Sequence, residues 1–436
     1  MQEKSAGGIV AKIRDDIEQG HLITGTSLPS IRDNAALIGV NRNTVAAAYQ
    51  KLTMAGLIEK KGRKMCVSRR PFNFNTTDTI ILPEGVKDLS IVNPDHKFIP
   101  AISHLSAHIL SEPQALYGTQ PDNPNLVNKF KELAASQGIN DCESMIVAGT
   151  TEGMERLLLD YLNPGDQIIV EDPCYMKLLY LLRSMGITPT PVPMMAEGMD
   201  IKTLTDKINH KTKAIVLTPR AQNPTGASYS QKRAQEIHDE LKKYPDLLVI
   251  EDEHLGPLSS LPYHSTIDKT RKNWAIFCSI AKYLGPDYRI AAMLASPTTI
   301  NRMKSRRAAG SHWVSHMIQK LVYAVWTDSQ TIETIITAKK AYQNRRIHMM
   351  DALRKQGIHA ESDDGMFIWL PTEHAELISA HLYRTGWNVR TGRDFCIKAK
   401  NGLRITTALI ATNEAEQLAI EIRRAMITNQ SMANPS

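Results

Sequence analysis

Short apolar runs alternate with segments of helical periodicity through most of this chain, and this alternation constrains the fold more strongly than any other sequence feature. The runs have the length of strands, and they occupy residues 145–147, 167–170, 214–217, 247–250 and 274–277. Strands separated by helices are typical of a largely parallel α/β sheet, in which ligand-binding groups follow the carboxyl ends of the strands. From about residue 88 onward we therefore expect such a sheet, with polar site residues along one edge.

Length and composition exclude several classes of protein. The 436 residues are about three times the length of a common domain, so two or three hydrophobic cores are expected. With 42% hydrophobic and 22% charged residues, the chain is neither disordered nor collagen-like. No window resembles a membrane span or a signal peptide, so we expect a cytoplasmic protein with no membrane partner. The five cysteines are scattered, which argues against disulfides or a zinc site, and no metal is predicted.

The positive charge of the chain is concentrated near its N-terminus. The whole sequence carries a net charge of +7, and residues 1–70 contain 12 Lys and Arg against 6 Asp and Glu. The rest of the chain is therefore almost neutral, which suggests a nucleic-acid-binding module attached to a neutral body. A basic surface that contacts only solvent is the alternative interpretation of the charge by itself.

The first 55 residues contain three apolar patterns at helical spacing. An apolar face over residues 9–17 predicts a first helix, and Ser30 is suited to cap a second helix that ends at Gly39. A third helix starts at residues 40–41, so two short helices enclose a tight turn. This predicts a helix-turn-helix, whose second helix presents its first residues to bases in the major groove. The side chains in that first turn are Asn41, Arg42, Asn43 and Thr44.

A short strand, a basic turn and a second strand follow over residues 57–67 and have the pattern of a wing. Together with the helices they resemble the winged-helix domain of GntR-type transcription regulators, over about residues 5–68. The sequence departs from that family at residues 64–65, where Lys-Met replaces a Gly-Thr pair. The resemblance implies a double-stranded DNA operator as partner. The residues expected to contact it are Ser30, Arg32, Asn41, Arg42, Asn43, Thr44, Lys61 and Arg63.

Three regions are predicted along the chain. Residues 1–68 form the DNA-binding domain, and residues 69–88 form a linker, because several Pro and Asn residues interrupt any apolar period there. Residues 89–428 form the large α/β body.

Five polar features follow the predicted strands of the body, in an order that suits one demanding cofactor. Pyridoxal 5'-phosphate needs a lysine amine for covalent attachment, an acid beside its pyridine nitrogen, a donor to its phenolic oxygen, an aromatic ring on its face and a cup for its phosphate. Each feature is common by itself, but all five in this order predict pyridoxal phosphate binding. In the order of those needs, the candidates are Lys282, Asp252, Asn223 and Tyr175, with Gly149, Thr150, Thr151, Ser279 and Arg289 around the phosphate.

At these positions, residues 88–428 resemble fold-type I aminotransferases of the aspartate aminotransferase superfamily. The resemblance implies a large domain around a mixed seven-stranded sheet, a smaller C-terminal domain and a homodimer in which Tyr117 reaches the partner's phosphate. It also implies that Arg404 pairs with a ligand carboxylate, the alternative being a structural salt bridge. His254 replaces a tyrosine that usually contacts the cofactor, and Ala291 stands where the glycine of the usual Arg-x-Gly continuation after Arg289 would be.

A GntR-type winged helix fused to an aminotransferase-like body resembles the MocR subfamily of bacterial regulators. The fold class is therefore α/β, with an N-terminal winged helix-turn-helix followed by aminotransferase-like large and small domains. We expect a homodimeric transcription regulator that responds to pyridoxal phosphate and controls vitamin B6 genes, with the cofactor itself or an amino compound as effector. The alternative function is a working aminotransferase that also carries a DNA-binding domain, and a regulatory rather than enzymatic use of the fold is favoured.

Overall fold

The computed structural model describes residues 5–18, 21–22, 25–54, 56–62, 64–68, 82–105, 111, 113–163, 165–399 and 401–433. They belong to two compact units, one within residues 1–80, 162–167 and 177–189, and the other within residues 81–161, 168–176 and 190–436. Arg63 and most of the predicted linker, residues 69–81, lie outside the described residues. Within the described part of the chain, each helix is too short or too polar to cross a membrane.

The N-terminal domain is a winged helix. Its elements are α1 (Ala6–Glu18), α2 (Ile31–Ile38), α3 (Arg42–Met54), β1 (Ile58–Lys61) and β2 (Lys64–Val67). The two strands pair in antiparallel register with Ile58 opposite Val67, and the apolar faces of all three helices share one core. The third helix begins at Arg42 rather than at residues 40–41, because the Asn41 Oδ1 accepts from the Asn43 N–H at 2.9 Å and so caps the helix.

A buried polar contact fixes the angle between the two helices of the motif. The Asn34 side chain in α2 donates to the Tyr49 hydroxyl in α3 at 2.9 Å, and that hydroxyl donates to the Pro29 carbonyl at 2.8 Å. The ends of α2 are also defined, since Ser30 accepts from the Asp33 N–H and Gly39 adopts a left-handed conformation. Together these contacts hold the first turn of α3 in a fixed position on the domain.

The body contains an eight-stranded sheet with the order β4-β11-β10-β9-β8-β5-β6-β7. Strands β8, β9 and β10 are parallel, and β11 is antiparallel to both of its neighbours, β10 and β4. The carboxyl ends of β4, β8, β9 and β10 therefore lie on the same edge. The strands are β4 (Glu143–Val147), β5 (Gln167–Asp172), β6 (Thr188–Met195), β7 (Gly198–Met199), β8 (Thr212–Leu217), β9 (Leu248–Glu253), β10 (Trp274–Ser279) and β11 (Ala291–Ala295).

The eighth strand is an addition to the seven that the aminotransferase resemblance implied. Strand β7 has only two residues and forms a tight hairpin with the end of β6, where Met194 pairs with Met199. Gly198 adopts a φ of +120° at this turn, and a Cβ there would lie 2.7 Å from the Tyr229 ring. The hairpin therefore depends on glycine, a local feature that apolar periodicity does not reveal.

Helices separate most of these strands and continue to the end of the chain. Gly153, on the helix after β4, shows how closely they pack, because a Cβ there would lie 2.6 Å from the Phe277 ring in β10. The helices are α4 (Pro124–Ser136), α5 (Thr150–Tyr161), α6 (Met176–Ser184), α7 (Ile201–Lys207), α8 (Gln231–Leu241), α9 (Pro297–Ala308), α10 (His316–Thr327), α11 (Ser329–Lys355), α12 (Ala375–Arg384) and α13 (Thr412–Ala433).

The C-terminal part of the body is built on a second, three-stranded sheet of order β12-β15-β14. The strands are β12 (Phe367–Pro371), β14 (Arg390–Thr391) and β15 (Gly402–Thr406), and β13 (Trp387–Asn388) pairs separately with β3 (Lys87–Asp88). Residues 368, 370, 403 and 405 face one way into an apolar core shared with α12 and α13. The opposite face carries Trp369, Arg390 and Arg404, which occupy paired positions on the three strands.

Candidate functional site

The predicted DNA-contacting side chains of the helices lie at the starts of α2 and α3. Ser30, Arg32, Asn41, Arg42 and Asn43 are exposed, and Thr44 is half-buried. Ser30 and Asn41 also cap the N-termini of α2 and α3, where the first backbone N–H groups of each helix are exposed to a ligand. This arrangement offers exposed donors for phosphate and an arginine for base edges, as a recognition helix requires.

One of the basic side chains of the wing is paired with an acidic side chain. Lys61 is exposed in β1, and its Nζ lies 3.2 Å from the Glu59 carboxylate on the same strand. An exposed ion pair of this kind is weak and is easily exchanged for a phosphate contact. Arg63, the other predicted contact, lies outside the described residues.

Gly149 and Arg289 form a cradle at the start of α5. Gly149 adopts a φ of +96°, and a Cβ at this position would lie 2.8 Å from the Arg289 Nη2. The guanidinium therefore occupies the space that any larger residue would fill. Thr150 and Thr151 begin the helix at the same point, where its first N–H groups have no partner within the helix. A guanidinium beside the first N–H groups of a helix is suited to bind a phosphate.

Asp252 supplies an acid whose burial requires a partner. Its Oδ1 is buried and has no hydrogen-bond partner among the residues that the structure describes. The pKa of this carboxyl is raised to about 7, chiefly by burial and also by the neighbouring carboxylates Glu253 and Glu171, whereas Lys282 lowers it. A protonated pyridine nitrogen would satisfy both the empty acceptor and the charge. The residue therefore fits the predicted cofactor.

Ser279 ends β10 and Lys282 follows it, beside the end of β9 that carries Asp252. The Lys282 Nζ donates to the Val92 carbonyl, and the Ser279 Oγ accepts from the Ala281 N–H at 3.2 Å. In the parallel pair of β9 and β10, Phe277 lies opposite Asp252. Asp252 is therefore on the strand next to the one that leads into Lys282.

Arg404 and Asn223 are joined in the structure although 181 residues separate them. The Arg404 Nη1 donates to the Asn223 Oδ1 at 3.1 Å, and its Nη2 donates to the Ser90 carbonyl. The Phe395 ring covers the guanidinium, with 5.0 Å between the ring centroid and Cζ. Arg404 is only 2% exposed.

His254 has a defined orientation. Its Nε2 lies 2.8 Å from the Ala221 carbonyl oxygen, so this nitrogen carries the hydrogen. Burial lowers the pKa of the imidazole, which keeps the ring neutral and leaves Nδ1 as an acceptor. His254 therefore cannot donate from Nδ1 to a phenolic oxygen as a tyrosine hydroxyl would.

Tyr175 and Tyr117 differ in burial. Tyr175 is half-buried and lies at the end of the loop between β5 and α6. Tyr117 is 95% exposed, and its ring contacts Trp313 edge-on at 5.7 Å between centroids. An exposed tyrosine at this position is compatible with the predicted contact to a partner subunit, which stays a prediction.

Several residues of the site were not predicted from the sequence. Two of them, Ser90 and Val92, act through backbone carbonyls, which no side-chain pattern identifies. Asp172 accepts from the N–H groups of residues 397, 398 and 399 at 2.7–2.8 Å. The buried pair of Arg220 and Glu253, 3.0 Å apart, could have been suspected from charged residues beside apolar strands. These residues position the loops of the site and do not extend its chemistry.

The sequence matches two protein families over separate regions. Residues 5–67 match the bacterial regulatory proteins of the gntR family, and residues 88–422 match aminotransferase class I and II. The chain is 37% identical to the vitamin B6 salvage pathway transcriptional repressor PtsJ of Salmonella typhimurium, over 97% of this chain and 99% of that protein. It is 24% identical to YdfD, an uncharacterised HTH-type transcriptional regulator of Bacillus subtilis, over 95% and 94% of the two chains.

Solved aminotransferases share the fold of the body. A kynurenine aminotransferase of Pyrococcus horikoshii aligns with a TM-score of 0.71 and 21% identity, over 79% of this chain and 91% of that one. A multiple substrate aminotransferase of Thermococcus profundus aligns with a TM-score of 0.72 and 20% identity, over 80% and 93%. These similarities confirm the predicted fold class, namely a winged helix followed by an aminotransferase-like body.

Proposed function

The chain belongs to the MocR subfamily of GntR-type transcription regulators, and from this premise we propose that it is a pyridoxal phosphate-responsive regulator of vitamin B6 genes. Its relatives over nearly the whole chain are transcription regulators, one of them a repressor of vitamin B6 salvage. The domains are proposed to be residues 1–68 for DNA binding, 69–88 as linker and 89–428 for effector binding. The protein is proposed to act as a homodimer in the cytoplasm on a double-stranded operator.

The observation that carries the cofactor proposal is the buried Oδ1 of Asp252, which lacks a partner within the described part of the protein. When bound, pyridoxal phosphate supplies an aldehyde and an electron-withdrawing pyridinium ring. Asp252 would hold the proton on the ring nitrogen, and Lys282 would bind the aldehyde carbon through Nζ. Arg289 and the first N–H groups of α5 would bind the phosphate, and the aromatic ring of Tyr175 would cover the cofactor.

Occupancy of this site can change DNA affinity only if the two DNA-binding states differ in their affinity for the cofactor. Lys282 is suited to report occupancy, because its amine must leave the Val92 carbonyl to form a covalent bond. That exchange alters a contact between the loop after β10 and the segment around residue 92. We propose that this local change is the first step of the response.

An operator titration with and without pyridoxal phosphate tests the proposal. Wild-type protein is expected to change its operator affinity when the cofactor is added, and Lys282→Ala is expected to lose most of that change. Lys272→Ala, which removes an exposed lysine on the preceding loop, is the matched control and should respond like wild type. Borohydride reduction followed by peptide mapping should locate the cofactor on Lys282. A label on another lysine would refute the proposed site.

A second function, transamination, is favoured by the contact between Arg404 and Asn223. This contact places a carboxylate-binding guanidinium beside a predicted cofactor ligand, as an amino-acid substrate would require. A single-turnover measurement with candidate amino acids tests it, because conversion of the cofactor to its amine form changes the absorbance spectrum. A regulator without this activity would show binding but no such conversion.

A further inference from the structure

Ala221 adopts a backbone conformation that its side chain disfavours. The residue lies on the loop after β8, two residues before Asn223, and has a φ of +50°. This left-handed region is unfavourable for L-residues other than glycine, because Cβ approaches the following carbonyl oxygen. Such strain persists only where the surroundings fix it, and it clusters at active sites and ligand-binding sites. The contacts that fix Ala221 therefore bear on the binding site beside it.

Contacts with several parts of the chain keep Ala221 in this conformation. Its N–H donates to the Ser228 Oγ at 3.0 Å, and its carbonyl accepts from the His254 Nε2 at 2.8 Å. Its side chain is fully buried and lies against Gly365, where an added Cβ would come within 3.2 Å of the Ala221 Cβ. The contact from His254 joins this loop to the end of β9, the strand that carries Asp252.

His254 is itself held in one orientation. It directly follows β9, and its ring stacks on the Phe367 ring with 6.4 Å between the centroids and 19° between the planes. A side chain that packing has already ordered loses little further freedom when it forms a hydrogen bond. The stacked imidazole is therefore a rigid donor, and it restrains the Ala221 carbonyl more firmly than a flexible side chain would.

The loop carries this restraint to Asn223. Gln222, which precedes it, is fully buried and donates from Nε2 to the Glu171 carboxylate at 3.1 Å and to the Pro173 carbonyl at 2.7 Å. The Asn223 Oδ1 accepts from the Arg404 Nη1 at 3.1 Å, so Nδ2 is directed away from the arginine. A hydrogen bond from this amide to the phenolic oxygen of the cofactor must come from Nδ2. The direction of Nδ2 therefore depends on the backbone of the residues before it.

We propose that His254 is a positioning residue, which holds Ala221 in its left-handed conformation and thereby directs the Asn223 Nδ2 toward the phenolic oxygen of pyridoxal phosphate. The inference rests on the proposed cofactor site and adds a residue that acts on that site indirectly. The side chain at position 254 thus acts on the loop, whereas the tyrosine usual in aminotransferases contacts the cofactor. His254 and Asn223 contribute to the same hydrogen bond.

Cofactor titrations of the full-length protein test this role with variants that keep or remove the donor. His254→Leu is expected to weaken pyridoxal phosphate binding about tenfold, because a hydrogen bond to an ionised oxygen is lost. The pH midpoint of the absorbance of the bound cofactor should rise by about 0.5–1 unit, since a donor stabilises the ionised phenolic oxygen. His254→Gln keeps an N–H donor and should stay within about threefold of wild type. His210→Leu changes an exposed histidine and should match wild type.

A double-mutant cycle separates positioning from direct contact with the cofactor. If His254 acts through Asn223, His254→Leu should cost little further affinity in an Asn223→Ala protein, so the two effects are not additive. Ala221→Gly removes the strain of the left-handed conformation and should recover part of the affinity lost in His254→Leu. Additive effects, no recovery by Ala221→Gly, or a His254→Gln protein as weak as His254→Leu would overturn the inference.

Cofactor uptake by wild type and thermal midpoints, measured on the same samples, separate this inference from the proposed function. Wild-type protein that takes up no cofactor refutes the proposed function. Wild-type protein that binds the cofactor, with additive effects in variants of normal thermal midpoint, refutes the positioning role alone. If His254→Leu is unstable, His254→Asn replaces it, because asparagine is polar but too short to reach the Ala221 carbonyl, and the same outcomes apply.

Discussion

Single residues determine how this chain can bind its two partners. Arg42 is exposed at the first position of α3, whereas the Oδ1 of Asp252 is buried near the end of β9. The first residue needs water or DNA around its charge, and the second needs a specific cation. Arg42 therefore gives a prediction about DNA binding, and Asp252 gives a prediction about the pH dependence of stability.

Arg42 is expected to provide base discrimination. If it contacts a base edge, Arg42→Ala should cost about 1–3 kcal/mol of discrimination between operator and random DNA. Lys61→Ala should instead weaken all sequences alike and reduce the salt slope by about one, because Lys61 would contact a phosphate. Fluorescence anisotropy at several salt concentrations measures both quantities. An unchanged sequence preference in Arg42→Ala would contradict the assignment of α3 as the recognition helix.

Asp252 should make the stability of the cofactor-free protein depend on pH. Since the pKa of this carboxyl is raised to about 7, its contribution to stability is complete below the unfolded value near 4 and is lost as pH rises through 7. Asp252→Asn should therefore gain stability relative to wild type between pH 5 and 7, by up to about 1.4 kcal/mol per pH unit.

Thermal midpoints of both proteins at pH 5.5, 6.5 and 7.5 measure this difference. Glu143→Gln, which changes an exposed carboxylate, is the matched control. With pyridoxal phosphate bound, the ring cation should stabilise the charged form of Asp252 and reverse the trend. A constant difference between wild type and Asp252→Asn would mean that the carboxyl is charged throughout this range.

At the scale of elements, the junction of β4 with α5 determines phosphate binding. Gly149→Ala is expected to reduce pyridoxal phosphate affinity at least tenfold, because the new Cβ would lie 2.8 Å from the Arg289 Nη2 and displace the guanidinium. Gly165→Ala is the matched control, since Gly165 has nearly the same φ, +97°, and no atom within 4 Å of the added Cβ among those described.

Equilibrium titration with cofactor absorbance measures the difference between the two variants. Both variants should lose similar stability from backbone strain. A difference in their cofactor affinities therefore reports the contact between residue 149 and Arg289. Equal cofactor affinities in the two variants would exclude Arg289 from the phosphate site.

At the scale of the whole molecule, the identity of the signal depends on Arg404. If pyridoxal phosphate itself is the signal, its phosphate, ring and aldehyde provide the contacts, and Arg404→Ala should keep the effect of the cofactor on operator affinity. If an amino acid is the signal, the lost carboxylate pair should cost about 1.5–3 kcal/mol. We expect the first outcome. An Arg404→Ala protein that binds cofactor normally but no longer changes its operator affinity would identify an amino acid as the effector.

The sequence by itself determined the order of the modules and the chemistry available to each. Apolar periodicity and local start and stop residues depend on neighbours along the chain, and so the winged helix and the strands that carry Asp252 and Lys282 could be predicted. The family resemblance added Arg404 and the smaller domain.

Only the tertiary structure decided which groups meet across the chain. The opposition of Arg390 and Arg404 depends on strand register, the tautomer of His254 depends on the Ala221 carbonyl, and Lys282 meets a backbone oxygen at Val92. Contacts of this kind form between residues far apart in sequence. Some of them involve a backbone carbonyl, which every residue type has, so the sequence does not indicate where they form. Their geometry is set by the packing of sheets and loops, which local patterns do not encode.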